Sequence, residues 1–308
     1  MIVVFGSINI DIEMRVSRLP RPGETLLSSD YMMSPGGKGA NQALAAARAG
    51  DDVRLIGMVG DDNFGSFALD LLNEQGVDVS DVGALENQHT GCATIWVDES
   101  GENSIIVGAG ANLLATADQV PDSLLGRDTV LMLQMEVSPA QNWELIARAK
   151  AKGARIILNV APAGMVPDAV LKTIDILVVN EHEGQTVAQE VGLDVDRVTR
   201  VPRALASRYG LTCIQTLGGA GLLCFGPDGG WSVPGLPISP VDTTAAGDAF
   251  VGNLAAALDH GHPIEECLRW ASVGAGLSCT REGAQMAMPH HEEVRDHLSR
   301  LPPSRKLA

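Results

Sequence analysis

The chain has 308 residues, 45% of them hydrophobic and 4% aromatic, which is enough apolar material for one large domain with a substantial core, or for two small ones. Its 38 acidic and 22 basic residues leave a formal charge of −16, a balance that argues against general nucleic-acid binding and against docking on anionic membranes. The five cysteines are odd in number and widely spaced, with no Cys-x-x-Cys pair, so neither a disulfide framework nor a zinc cluster is expected, and a cytoplasmic setting is.

In chain order, residues 2–6 read as a buried strand. No basic segment precedes this run, and Asp11 and Glu13 soon interrupt it, so it is not expected to be a signal peptide. No run of about 20 apolar residues follows that would span a membrane. Helices are expected at 39–49, 64–75, 138–152, 181–191, 248–260 and 264–279, and strands at 53–58, 129–133, 154–159, 174–179 and 211–217. This alternation implies an α/β fold: a three-layer, mostly parallel sheet with helices on both faces and right-handed crossovers, making one domain of 1–308. Two stretches break the pattern. Residues 12–34 contain Arg18-Leu19-Pro20-Arg21-Pro22-Gly23, and residues 88–108 resemble a hairpin, with 92–97 and 104–107 flanking a turn at Glu99-Ser100-Gly101. Together they suggest a small β-sheet lid over a ligand; two edge hairpins completing the main sheet are the other reading. Residues 301–308 read as a loose tail.

The most informative stretch is Val241-Asp242-Thr243-Thr244-Ala245-Ala246-Gly247-Asp248-Ala249-Phe250. It reads as a tight turn entering a helix whose apolar stripe is Phe250, Val251, Leu254 and Leu258. Gly247 lets the backbone approach a ligand closely. The first amides of the helix lack intrahelical partners and can bind an anion. Asp248, beside them, is placed as a general base. Amides for a transferred phosphoryl group and one carboxylate for an attacking hydroxyl are the working parts of a phosphotransferase. A carboxylate that merely favours the positive end of its helix would look the same.

Other polar groups recur after strands. Ser7-Ile8-Asn9-Ile10-Asp11 follows the first strand, where ligands of open α/β sheets bind. Asn9 and Asp11 suit neighbouring sugar hydroxyls, although an Asx turn is the plainer reading. The loop Ser34-Pro35-Gly36-Gly37-Lys38-Gly39-Ala40-Asn41-Gln42 is not a Walker A motif, because position 32 is Met and no Ser or Thr follows Lys38. Its glycines let the backbone wrap a small polar molecule, to which Lys38 and Asn41 offer donors; a glycine-rich helix start with a solvated lysine is the alternative. Glu136, Asn159, Asn180 with Glu183, and Thr216-Leu217-Gly218-Gly219-Ala220-Gly221 each end a strand, so several loops converge on one cleft. No Gly-x-Gly-x-x-Gly follows the first strand, which argues against a dinucleotide-dependent dehydrogenase. His290-His291 are expected to face solvent, and Met32-Met33 to lie in the lid or a dimer interface.

With these motifs the chain resembles the ribokinase-like family, also called the PfkB-type carbohydrate kinases. The resemblance spans Gly6 to about Pro289 and rests on Ser7-Ile8-Asn9 with Asp11, the glycine loop, Gly110-Ala111-Asn112, the Asp-Thr-Thr-Ala-Ala-Gly-Asp segment, and Thr280-Arg281 with Gly283-Ala284-Gln285. It implies ATP-dependent phosphorylation of the 5-hydroxyl of D-ribose. Another furanose, a nucleoside or a sugar acid as acceptor stays open, as does a sugar or nucleotide sensor without turnover.

Carried over by resemblance, Asp248 would be the base, and Ala245, Ala246 and Gly247 the anion hole. Asn9, Asp11, Gly37, Lys38, Asn41 and Glu136 would hold the sugar. Asn180 and Glu183 would lie near the ATP phosphates and hydrated Mg2+, and Thr216, Gly218 and Gly221 would line the nucleotide site. A K+ site would draw on Asp242, Thr244, Ser278, Arg281 and Gly283, and on position 287. The resemblance also implies a homodimer joined through the lids, where Ala93, Ile95 and Trp96 would be covered. The chain departs from the family at Ala287, where a serine oxygen is often found, and at Ser272, where a histidine often lies near the adenine.

Overall fold

The computed structural model describes residues 1–100 and 102–307. Strand β1 (Ile2–Phe5) starts the main sheet, and the chain then leaves it for β2 (Asn9–Arg15) and β3 (Tyr31–Gly36). It returns through α1 (Lys38–Arg48), β4 (Val53–Gly60), α2 (Asn63–Glu74) and β5 (Asp78–Leu85), then departs again for β6 (Gly91–Val97) and β7 (Asn103–Gly108). The second half runs β8 (Val130–Leu133), α3 (Pro139–Lys152), β9 (Arg155–Asn159), α4 (Asp168–Leu171), β10 (Ile176–Val179), α5 (Glu181–Glu190), α6 (Val201–Tyr209) and β11 (Thr212–Thr216). A hairpin of β12 (Leu222–Gly226) and β13 (Gly229–Val233) follows, then α7 (Ala246–Asp259), α8 (Ile264–Ser278), α9 (His291–His297) and β14 (Arg305–Leu307).

The main sheet has ten strands in the order β14-β13-β12-β11-β10-β9-β8-β1-β4-β5. It is parallel from β11 to β5 and antiparallel across the hairpin and β14. Continuous apolar runs make this possible: β1, β8 and β10 are buried at every position. Alternation along β1 sends Ile2 and Val4 into a core with α1, α7 and α8, and Val3 and Phe5 into a core with α3, α5 and α6. Each fully buried aliphatic or phenyl side chain contributes roughly 1.5–3 kcal/mol, so the two cores hold the three layers together.

The small sheet is separate, in the order β3-β2-β6-β7, which rules out the reading as edge hairpins. Its strand β2 starts at Asn9, three residues before the expected break, so Asn9 and Asp11 both belong to it. Of the turn read at 99–101, Gly101 lies outside the described residues. The loose-tail reading of 301–308 is corrected: Arg305–Leu307 pairs with β13, Ser232 opposite Arg305 and Gly230 opposite Leu307. The exposed edge of β13 creates this strand; Arg305-Lys306-Leu307 alone carries no strand signal. Helix α7 starts at Ala246, two residues earlier than expected. His291 is corrected as well, since its ring stacks on Trp270 at 4.8 Å and its Nδ1 lies 2.9 Å from the Ala49 carbonyl.

Candidate active site

Sheet growth reverses beside β1. Strands β4 and β5 add on one side and β8 to β11 on the other. The crevice of such a sheet opens outside the strand carboxyl ends at this reversal. A cavity of about 430 Å³ lies there, lined by Asn9, Asp11, Gly37, Lys38, Asn41, Glu136, Asn180, Glu183 and Asp248, and by Ala93, Ile95, Ile105 and Val107 of the small sheet. A second cavity of about 220 Å³ adjoins it, lined by Gly218, Gly221, Leu236, Ile238, Phe250 and Ser272 among others. Thr216, Thr243, Ala246 and Gly247 line both.

The glycine loop is folded onto the exit of β1. Gly37 has φ +89°, and a Cβ there would lie 2.7 Å from the Asn9 amide nitrogen and 2.8 Å from the Ser7 carbonyl oxygen. Only glycine fits, and this contact sets the first turn of α1, with Lys38 and Asn41, against the cavity. The Lys38 amide and the Ser7 hydroxyl both donate to Glu136 Oε2, at 3.1 and 2.6 Å. Asn9 is held by Asn112, whose Nδ2 donates to Asn9 Oδ1 at 2.7 Å and whose Oδ1 accepts from the Ile8 amide at 2.9 Å. Asn112 stood in a recognised motif, yet nothing local in the sequence assigned it this clamp.

Asp248 is buried in the first turn of α7. Its Oδ2 accepts from Asn41 Nδ2 at 3.1 Å and its Oδ1 from Gln42 Nε2 at 3.0 Å. The charge of Asp248, ahead of the opposing effect of burial, raises the pKa of Lys38 and keeps it an ammonium. Burial, reinforced by the charges of Glu136 and Asp248 and opposed by Lys38, lifts the Asp11 carboxyl to about 7. Among the described residues, four carboxylates (Asp11, Glu136, Glu183 and Asp248) and one ammonium line the larger cavity.

The turn before α7 is strained at Ala245, whose backbone conformation the sequence did not signal. Ala245, not Gly247, takes the left-handed conformation, at φ 55° and ψ 15°, which costs roughly 1–2 kcal/mol for a residue with a Cβ. Gly247 is ordinary helix, and a Cβ on it would meet nothing within 4 Å, so the space beside it is open. The Ala246 amide turns back to the Thr243 carbonyl at 3.3 Å. The amides of Gly247 and Asp248 have no carbonyl partner within the helix.

Asp242 ties this turn to the loop after α8. Its Oδ1 accepts from the Thr244 amide and hydroxyl at 2.9 and 2.6 Å, and its Oδ2 from the Gly283 amide at 2.9 Å. Burial pushes the Asp242 carboxyl upward, but these donors outweigh it and hold the pKa below the usual carboxylate range. Asp242, Thr244 and Gly283 are thus brought together. The side chains of the other candidates point elsewhere: Ser278 Oγ donates to the Ala275 carbonyl at 2.8 Å, Arg281 pairs with Glu293, and Ala287 is buried.

Asn180 and Glu183 form a reciprocal cap on α5. Asn180 Oδ1 accepts from the Glu183 amide at 2.8 Å, and Glu183 Oε2 accepts from the Asn180 amide at 2.7 Å. Burial, partly offset by the Asn180 bond, raises the Glu183 pKa. Thr216 Oγ1 donates to the Val179 carbonyl at 3.4 Å, between the two cavities.

The model of the pfkB family carbohydrate kinase matches residues 1–291. The chain is 33% identical to a ribokinase of Haemophilus influenzae over 300 residues, covering 96% of this chain and 98% of that protein. It is 35% identical to a ribokinase of Bacillus subtilis, also over 300 residues, with 97% and 99% covered. Among solved structures, the ribokinase of Thermotoga maritima superposes with a TM-score of 0.89 at 31% identity, over 97% of this chain and 99% of that one. The Arabidopsis thaliana ribokinase complexed with ribose and ATP gives 0.87 at 30%, over 96% and 98%. A nucleoside kinase of Methanocaldococcus jannaschii, 19% identical at a TM-score of 0.83 over 97% of both chains, shares the fold. A family match over nearly the whole length, on a crevice where a glycine loop meets a helix-start carboxylate, makes this chain a member of the pfkB family of carbohydrate kinases.

Proposed function

We propose that the chain transfers the γ-phosphoryl group of ATP to the 5-hydroxyl of D-ribose, giving ribose 5-phosphate and ADP. The observation that carries this reading is the junction of the two cavities: Gly247 lines both, and the next residue is the buried carboxylate of Asp248. The relatives named above are ribokinases, and one was solved with ribose and ATP. The sugar occupies the larger cavity, its hydroxyls held by Asn9, Asp11, Gly37, Lys38, Asn41 and Glu136. The nucleotide occupies the smaller one, along Thr216, Gly218 and Gly221. The turn of Ala245, Ala246 and Gly247 receives the phosphoryl group, and Asp248 accepts the proton of the attacking hydroxyl. The small sheet acts as a lid over the sugar and excludes water, which would otherwise compete as acceptor.

A polyphosphate enters a cavity rich in carboxylates only with cations. Glu183, a buried carboxylate, and Asn180 fit a hydrated Mg2+, which would neutralise phosphate charge. Asp242 and Thr244, with main-chain oxygens near Ser278, Arg281 and Gly283, fit a monovalent cation that would steady the turn, although Ala287 brings no side-chain oxygen. Initial rates are expected to be several-fold higher in K+ than in Na+ or a large organic cation; equal rates in all three would remove the K+ site.

The small sheet also exposes Tyr31, Met32, Ile105, Ile106 and Val107. These side chains are spread over both faces of the sheet, Ile105 and Val107 toward the larger cavity and Ile106 away from it, and exposed apolar surface of this kind fits a homodimer joined through the lids. Light scattering is expected to give twice the monomer mass, and a monomer at micromolar concentration would refute it. Free thiols at all five cysteines suit the cytoplasm, and among the described residues no helix is long and apolar enough to cross a membrane.

The direct test is ADP formation with MgATP and K+, comparing D-ribose with 2-deoxyribose, fructose, adenosine, a sugar acid and no sugar. Stimulation by D-ribose alone supports the reading. Stimulation by another acceptor corrects the substrate, and no stimulation with ATP binding intact favours a sensor.

A further inference from the structure

Helices α1 and α7 approach closely at Gly252, where a Cβ would lie 2.5 Å from Ala45 Cβ and 2.7 Å from the Gln42 carbonyl oxygen. Asp248 stands one turn earlier on the same face of α7. The close approach therefore delivers the side chain of Gln42, fully buried, onto the carboxylate. Gln42 Nε2 donates to Asp248 Oδ1 and to Asn159 Oδ1, both at 3.0 Å. Gln42 Oε1 in turn accepts from Gln134 Nε2 at 2.8 Å. Gln134, at the exit of β8, is also fully buried. Its Oε1 lies 2.0 Å from where a Cβ on Gly6 would stand, so residue 6 must be glycine for it to fit.

The direction of this chain of amides is determined. Asn159 Nδ2 donates to the Val178 carbonyl at 3.2 Å, which turns the Asn159 oxygen toward Gln42. Reversing the Gln42 amide would set its oxygen against both the Asp248 carboxylate and Asn159 Oδ1, and its NH2 group against that of Gln134. Gln134 then holds the Gln42 oxygen and completes the chain, its own Oε1 having no hydrogen-bond partner among the described residues. Asn41 serves the other carboxylate oxygen, and one lone pair on each oxygen is engaged.

We infer that Gln42 and Gln134 are positioning residues for phosphoryl transfer: a buried amide relay, running from β8 through α1, fixes the orientation of the Asp248 carboxylate. The inference rests on reading Asp248 as the base. Neutral donors suit the task, because they restrain a carboxylate without adding a charge that would compete for its proton. Misplacing a reacting group by a fraction of an ångström lowers the rate of the chemical step and leaves substrate affinity alone.

The test uses Gln42→Met, Gln134→Met and the double variant, with Asp248→Asn in the same assay. Gln42→Met is expected to lower kcat by about tenfold or more, with KM for ribose and ATP within about twofold of the parent. Gln134→Met keeps the bond to Asp248 and loses only its anchor, so a fall of about threefold is expected. The double variant should turn over no more slowly than Gln42→Met, because Gln134 acts only through Gln42. Parent-like kcat in both single variants, effects that multiply in the double variant, or losses confined to KM would overturn the relay, provided Asp248→Asn has lost turnover. An active Asp248→Asn enzyme would instead overturn the base reading beneath it. Thermal unfolding of each variant separates lost turnover from lost fold, and the milder Gln134→Met keeps the relay testable should Gln42→Met fail to fold.

Discussion

Asp248→Asn is expected to reduce turnover by about 10²-fold or more while the chain folds normally and binds ribose and ATP. The substitution keeps shape and volume. It removes the carboxylate proposed to take the hydroxyl proton, and general-base loss typically has an effect of this size. One local bond should suffer too. Asn41 and Gln42 each donate to one carboxylate oxygen, and the amide nitrogen of an asparagine would face one of those donors. The helix itself is insulated from the change, because Ala249, Phe250, Val251 and Leu254 remain in the core. The measurement is steady-state ADP release, with calorimetric titration of ribose and a non-hydrolysable nucleotide. Turnover within a few-fold of the parent would take Asp248 out of the base role.

The second large effect belongs to Asp11. Asp11→Asn is expected to raise KM for ribose by at least about tenfold with ATP binding intact, since a carboxylate accepts from two hydroxyls where an amide oxygen accepts less strongly. The same change should stabilise the empty protein. The Asp11 carboxyl is lifted from 3.8 to about 7, chiefly by burial. Between those values the folded chain holds a proton that the unfolded chain releases, so this residue's contribution to stability falls as pH rises through the window. Above pH 7 the penalty of burying the ionised group is fully present. Asp11→Asn is therefore expected to raise Tm over the parent at pH 8 and to gain clearly less at pH 5. Asp51 is shifted in the same window, chiefly by burial and then by Asp259, so the difference between variant and parent is the quantity to follow. For the parent, ribose affinity should weaken as pH falls below about 7. An unchanged KM would show that Asp11 does not read the sugar, and an equal Tm gain at both pH values would remove the electrostatic explanation.

The sequence made the crevice legible because its chemistry sits in local signatures: a glycine loop ending in Lys38 and Asn41, and a helix start carrying Asp248. Alternation of apolar strands and helices gave the parallel sheet for a similar reason, since burial on both faces leaves unbroken runs such as Ile2–Phe5. What stayed hidden depends on distant partners. Nothing in Ala-Ala-Gly says that Ala245 takes the left-handed turn. Gln42 and Gln134 are 92 positions apart and meet only because glycine at position 6 leaves room for the Gln134 side chain. Strand β14 exists because β13 offers an edge, and α6 begins Val201-Pro202 after a polar stretch without periodicity. Ser278, Arg281 and Ala287 were marked by resemblance alone, and their side chains turn to the helix, to Glu293 and to the core.

Asp11, Ala93, Ile95, Ile105 and Val107 border the larger cavity from the four-stranded sheet, whereas Asp248 lies in the first turn of α7, a helix packed in one of the cores of the ten-stranded one. Natural variation can therefore work on the two halves at different speeds. A substitution among these five leaves the two main cores intact, so new acceptors can be sampled without loss of foldability. A substitution around α7 disturbs packing and catalysis together and is purged. This partition separates a face that tolerates substitution from a helix start whose side chains also hold the fold together.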